Sequence, residues 1–196
     1  MLNSRIALFG GSFDPPHRAH LAIAQAAVEQ CGLERVVFLP CRESPLKGRL
    51  PGASGAHRLE MLRLATAGLA WAEVSEWELS RPGPSYTWQT AEHFAAAQPE
   101  AALHWLMGAD QWAALEQWAR PDLLCERLTF IVFARDRLTP EPRPGWRAHF
   151  LRGAWPGSST EARTLLADGT SASALLPPAV EEYAVSRRLY LPAGPR

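Results

Sequence analysis

Two histidines three apart, His17 and His20, stand just after two glycines and a serine in GGSFDPPHRAH, residues 10–20. On the first turn of a helix, positions i and i+3 project from one side, so both imidazoles face the same ligand. Beside an anion, imidazoles take up positive charge and donate hydrogen bonds to charge developing on phosphoryl oxygens. Gly10, Gly11 and Ser12 suit the anion, because glycines let backbone N–H groups approach a phosphate near a helix N-terminus. Three readings compete for the pair: zinc ligands, solvated or capping histidines, and phosphate ligands. Zinc needs a third and a fourth ligand, and no Cys or Glu motif nearby supplies them. The glycine turn favours phosphate over the capping reading.

A second cluster, GSSTEAR at residues 157–163, lies far away in the chain. Ser158, Ser159 and Thr160 at a helix start serve as caps. Capping leaves Arg163 unexplained. One turn into the helix, it can reach back to an anion held by the same hydroxyls and N–H groups. Taken alone, the pattern is short and unspecific.

Elements of alternating type must position these residues. Arg5–Phe9 and Arg35–Leu39 read as short buried strands around an alanine-rich helix at Leu21–Val28, with Gly32 as its C-cap. Residues 40–55 are rich in proline, glycine and basic side chains and form a surface loop. Apolar residues recur at helical spacing over Ala56–Leu69, a strand follows at Ala72–Leu79, and Thr87 N-caps a helix reaching Ala97. Leu103–Met107 is a strand, Asp110–Trp118 a helix and Leu128–Ala134 a strand. After the proline-rich residues 135–147 come a strand at Ala148–Leu151, a helix from Ser159 or Thr160 to Ala167, and a last helix beginning near Pro178. The expected class is α/β: a Rossmann-like, doubly wound parallel sheet with a small C-terminal helical part.

Composition narrows the function. The chain has 196 residues, of which 47% are hydrophobic, enough for one domain with a full core. Twenty basic residues balance 20 acidic ones, which argues against a nucleic-acid binder with a basic face. No apolar run approaches a membrane span, and the start, Met-Leu-Asn-Ser-Arg, does not resemble a signal peptide. Cys31, Cys41 and Cys125 are odd in number and widely spaced, suggesting reduced thiols rather than a disulfide framework or a zinc site. The expectation is a cytoplasmic protein.

Taken together, the two clusters resemble the GGSFDPxHxGH and ISSTxIR signatures of bacterial nicotinate-mononucleotide adenylyltransferases, members of the HxGH nucleotidyltransferase superfamily. SYTWQT (85–90) is similar to that family's SYTxxT, and GAD (108–110) to its GxD, with Trp118 ten residues past Gly108 at the usual tryptophan position. EEYAVSRRLY is similar to its YIxxxxLY ending. Five motifs in order cover most of the chain. The resemblance implies one nucleotidyltransferase domain over residues 1–196, with 157–196 as its C-terminal helical portion. It implies AMP transfer from ATP to nicotinate mononucleotide, giving deamido-NAD and pyrophosphate, a step in NAD biosynthesis.

Carried over by position, the resemblance implies that His17 and His20 contact the ATP phosphates, with His20 nearest the reacting phosphate. Gly10, Gly11, Ser12 and Phe13 form the turn beneath the nucleotides. Ser159, Thr160 and Arg163 hold the triphosphate tail, and Asp110 orients ribose hydroxyls. Lys47 closes from its loop onto phosphate. Trp118 stacks on the pyridine ring, and backbone N–H groups near Thr87 and after Trp118 receive the nicotinate carboxylate; Tyr86 lines the same pocket or belongs to the core. Magnesium is expected on ATP oxygens and water, with no dedicated protein ligands, because Mg²⁺ keeps its waters and takes substrate phosphates readily. Three departures stand out. Ala19 replaces the third-position glycine of HxGH, where its methyl group would crowd a nucleotide passing close to the backbone. Leu46 replaces a common histidine, and Gly157 and Ala162 replace the isoleucines of ISSTxIR. Phosphopantetheine or nicotinamide-mononucleotide adenylylation, and a catalytically silent nucleotide sensor, are the competing functions. Oligomeric state stays open.

Overall fold

The computed structural model describes residues 4–45, 51–134 and 140–192. Six strands, β1 (Arg5–Gly11), β2 (Arg35–Pro40), β3 (Ala72–Val74), β4 (Ala102–Gly108), β5 (Thr129–Phe133) and β6 (Ala148–Leu151), form one sheet. Every pairing is parallel, in the order β3-β2-β1-β4-β5-β6. The helices are α1 (Arg18–Cys31), α2 (Gly55–Thr66), α3 (Trp77–Ser80), α4 (Thr87–Ala97), α5 (Ala109–Ala113), α6 (Pro121–Arg127), α7 (Ser159–Ala167) and α8 (Pro178–Ser186).

A parallel sheet covered on both faces reads as near-continuous apolar runs, and the strands obey this. In β1, Ile6 and Leu8 join one core while Ala7 and Phe9 join the other. The same period of two divides Phe130 and Val132 from Ile131 and Phe133 in β5. A third core, built from Met61, Ala65, Ala162, Leu166, Val180 and Ala184, ties α7 and α8 onto α2. The C-terminal helical portion therefore packs against the second crossover helix. Gly32 closes α1 in the left-handed conformation, at φ 61°, as its C-cap reading requires.

Five elements differ from the sequence reading. β1 continues through Gly10 and Gly11, which pair with Leu39 and Pro40; the two glycines are strand residues rather than a turn. The expected strand over 72–79 stops at Val74, and Trp77–Ser80 winds into α3. The Trp77 N–H donates to the Ser75 hydroxyl, a local turn that competes with the ladder at an edge strand. Ala114, at φ −94° and ψ 6°, divides the expected helix at 110–118 into α5 and a 3₁₀ turn over Leu115–Gln117. Helix α6 was not expected, although Pro121 at its first position and Asp122 beside it are helix-start residues. Thr87 lies one place inside α4, whose N-cap is Tyr86.

Candidate active site

Between β1 and β4 the strand order reverses direction, and in open α/β sheets ligands bind beyond the carboxyl ends of the strands at this switch point. Here those ends deliver Gly10–Asp14 from β1, Cys41–Pro45 from β2 and Gly108–Gln111 from β4. Two cavities, about 350 and 540 Å³, open over them. Gly10, Gly11, Ser12, Ser44 and Gln111 line both, so the cavities share a wall.

The larger cavity brings His20, Asp110, Ser159, Thr160 and Arg163 together with the backbone of Gly10–Phe13. His17 N-caps α1, and its N–H donates to His20 Nδ1 at 3.2 Å. An accepting Nδ1 places the His20 proton on Nε2, a tautomer assigned from this network. The two imidazoles stack with centroids 3.6 Å apart, which fulfils the same-side expectation. Only His20 lines the cavity; His17 is 1% exposed and lies outside both cavity walls. Phe13 has φ 47°, and its buried ring packs edge-on to His20 at 5.0 Å. Its ring joins the core, and the residue also lines the larger cavity. A Cβ on Gly11 would meet that ring at 3.1 Å, a tight contact to which the ring would have to give by a few tenths of an ångström.

On the opposite wall, Ser158 caps α7 by accepting the Glu161 N–H. The Ser159 hydroxyl donates to the Pro15 carbonyl at 2.9 Å, and Arg163 donates to the Asp14 carbonyl at 2.6 Å and to Thr160 Oγ1 at 3.2 Å. The second cluster is thereby bolted to the first, 149 residues away at Arg163. The Asp110 carboxylate is exposed on the first turn of α5, beside Gly108.

Tyr86, Thr87, Trp105, Trp118 and Ala119 line the smaller cavity, which answers the question of Tyr86 in favour of the pocket wall. Trp118 meets Trp105 edge to face at 6.3 Å. Cys41 and Glu78 complete this wall, and the sequence reading picked neither. A lone carboxyl inside an expected strand carried no visible signal. Glu78 is 4% exposed and accepts the Thr90 hydroxyl at 2.7 Å, so it braces SYTWQT from within. Burial pushes its carboxyl above the usual range, only partly offset by bonds from Thr90 and Ser85. A carboxyl whose folded pKa is raised contributes stability that is lost as pH climbs through that folded value. Glu78→Gln, which keeps an acceptor for Thr90 without ionising, should therefore gain stability relative to wild type as pH rises from about 5 to about 8. Urea unfolding at the two pH values tests this; an unchanged difference would remove ionisation of Glu78 from the stability balance.

Comparison with known proteins agrees with this geometry. The cytidylyltransferase-like family model matches residues 8–170. A probable nicotinate-nucleotide adenylyltransferase of Gloeobacter violaceus is 38% identical, covering 98% of this chain and 100% of its own. Another, of Methylacidiphilum infernorum, is 36% identical over 96% of this chain and 93% of its own. The chain belongs to the nicotinate-nucleotide adenylyltransferase family. The fold is shared with the Plasmodium falciparum nicotinic acid mononucleotide adenylyltransferase solved in complex with NaAD, at a TM-score of 0.79 and 18% identity, covering 95% of this chain and 97% of that one.

Against the family's HxGH signature, Ala19 faces the core. It is 5% exposed, sits in the first turn of α1 and lines neither cavity, so its methyl group does not narrow the larger cavity. Ala19→Gly should leave kcat/KM for ATP within about twofold and destabilise the fold by about 1 kcal/mol, the helix cost of glycine. Steady-state kinetics and thermal melting check both; a gain in kcat/KM would restore the crowding argument. Leu46 and Lys47 lie outside the described residues.

Proposed function

We propose that the chain transfers AMP from ATP to nicotinate mononucleotide, forming deamido-NAD and pyrophosphate in NAD biosynthesis. One observation carries this reading: two cavities of different character share the Gly10–Gly11–Ser12 wall, one flanked by histidine, hydroxyls and arginine, the other by tryptophans and a tyrosine. A triphosphate suits the first and an aromatic ring the second. Their shared wall is where an acceptor phosphate meets the ATP α-phosphorus.

The acceptor's 5′-phosphate is mostly dianionic near neutral pH, with a second pKa of about 6, so it attacks without a general base. Its oxygen bonds to the α-phosphorus, the bond to the β-phosphate bridging oxygen breaks, and pyrophosphate leaves with that electron pair. Catalysis is positioning plus neutralisation of spreading charge. The Nε2–H of His20 donates to phosphoryl oxygens, while His17 stacks behind and fixes the tautomer. Phe13 buttresses His20 from the core. Ser159, Thr160 and Arg163 hold the triphosphate tail, and Asp110 orients a ribose.

In the smaller cavity Trp118 stacks on the pyridine ring beside Tyr86, and the N–H groups of Thr87 and Ala119 receive the nicotinate carboxylate. Mg²⁺ would arrive on ATP oxygens and water, since it keeps its waters and takes substrate phosphates readily. The bound cation neutralises phosphate charge. No described helix is long and apolar enough to cross a membrane.

Pyrophosphate release with Mg-ATP and each of nicotinate mononucleotide, nicotinamide mononucleotide and phosphopantetheine tests the assignment. Release with the first alone is expected. Release chiefly with another acceptor would reassign the substrate, and tight ATP binding with no release would make the protein a nucleotide sensor.

A further inference from the structure

Two distant segments converge on one buried carboxylate, and a third on its backbone carbonyl. Asp14, beside the glycine wall, accepts the Gly52 N–H at 2.6 Å on Oδ2, and the Ala53 N–H at 3.0 Å and the Tyr190 hydroxyl at 2.8 Å on Oδ1. Its backbone carbonyl accepts Arg163 at 2.6 Å. Beneath it, Arg58 donates to the Ser12 carbonyl at 2.7 Å and the Ala53 carbonyl at 3.2 Å. Asp14, Gly52 and Arg163 all line the larger cavity; Tyr190, beyond α8, does not.

Tyr190 holds φ at 67°, a left-handed conformation that is an outlier for a bulky side chain. Such strain persists only where the surroundings over-determine it, and it marks positions under functional constraint. Its ring lies against Gly52, where an added Cβ would come within 3.6 Å. Burial, reinforced by the neighbouring Asp14 carboxylate, holds the phenol far above its ordinary range. The hydroxyl therefore stays a donor at any working pH.

We propose that Tyr190 is a positioning residue for ATP: its hydroxyl orients Asp14, which sets the 51–53 segment and the Arg163 wall at the separation that a triphosphate needs. This rests on the larger cavity being the ATP site. Because Tyr190 touches no part of the smaller cavity, its loss should act on one substrate only.

The test is Tyr190→Phe, which removes the hydroxyl and keeps the ring against Gly52. Calorimetric titration with Mg-ATP, in the absence of acceptor, should show Kd raised about fivefold, the size of one typical net hydrogen bond. In pyrophosphate assays KM for ATP should rise in parallel, with kcat and KM for nicotinate mononucleotide within about twofold of wild type. In an Asp14→Asn background the same change should add less than about 1.5-fold, because the hydroxyl acts through the carboxylate. Unchanged ATP affinity, with or without a fall in Tm, would overturn the proposal, and so would equal changes in KM for both substrates. A wild-type protein that binds Mg-ATP but releases no pyrophosphate would instead overturn the assigned reaction, leaving the calorimetric comparison to decide the role of Tyr190.

Discussion

His20→Ala should lower kcat by about 10² or more, the usual cost of removing a donor aimed at transition-state charge, while KM for ATP changes no more than about threefold. The expectation comes from where the imidazole stands. His20 is the one histidine of the pair on the cavity wall, and its Nδ1 is occupied by the His17 N–H. Its remaining N–H is therefore aimed by the backbone of its own helix start, before any substrate arrives. Donors fixed in advance stabilise charge that appears only in the transition state, so the loss falls on kcat. ATP keeps its contacts with the α7 hydroxyls, Arg163 and the glycine wall, so ground-state binding survives. Rapid-quench or steady-state pyrophosphate release measures kcat, and circular dichroism checks the fold. Near-native kcat in the variant would remove His20 from the chemistry.

How much of this arrangement is legible in the sequence depends on how local its causes are. Buried parallel strands announce themselves as short apolar runs, so RIALF, RVVFL and LTFIVFA mark three of the six strands within two residues at each end. The edge strand β3 does not, because Trp77 and Leu79 resume an apolar alternation, out of phase with Ala72 and Val74, while Ser75 offers the chain a competing turn. For the site, spacing alone places both histidines on one side of α1. It does not say that only His20 reaches the cavity, since that depends on which residue becomes the N-cap. Gly10 and Gly11 read in the sequence as a turn that lets backbone N–H groups approach an anion; the crowding a Cβ would meet there, from Trp105 and Phe13, is visible only in the fold. The convergence on Asp14 was invisible, because Gly52, Arg163 and Tyr190 lie 38, 149 and 176 residues away and no periodicity links them. Likewise, Glu78 is seen as a brace for SYTWQT only once α3 and α4 are in place.

Gly10→Ala should raise KM for nicotinate mononucleotide about tenfold and destabilise the fold by about 1–3 kcal/mol, the usual penalty of overpacking a filled core. Backbone strain is not the cause, since Gly10 lies in β1 and pairs with Leu39, a setting open to any residue. The obstacle is Trp105. An added Cβ would fall 2.7 Å from its Cζ2 and 2.9 Å from its Cη2. Trp105 is 4% exposed, belongs to the core of that sheet face and meets Trp118 edge to face. With core on its other sides, the indole yields toward the cavity it lines, moving the surface proposed to hold the pyridine ring. KM for ATP should change less, because Trp105 does not line the larger cavity. The second substitution Trp105→Phe removes the atoms that clash and should return acceptor KM to within about threefold of wild type. Melting temperature gives a parallel readout, at about 2–4 °C per kcal/mol for a domain of this size. If Gly10→Ala left acceptor KM and Tm unchanged, Trp105 would have room to spare, and the glycine would owe its place to the approach of substrate to the backbone, as the sequence first suggested.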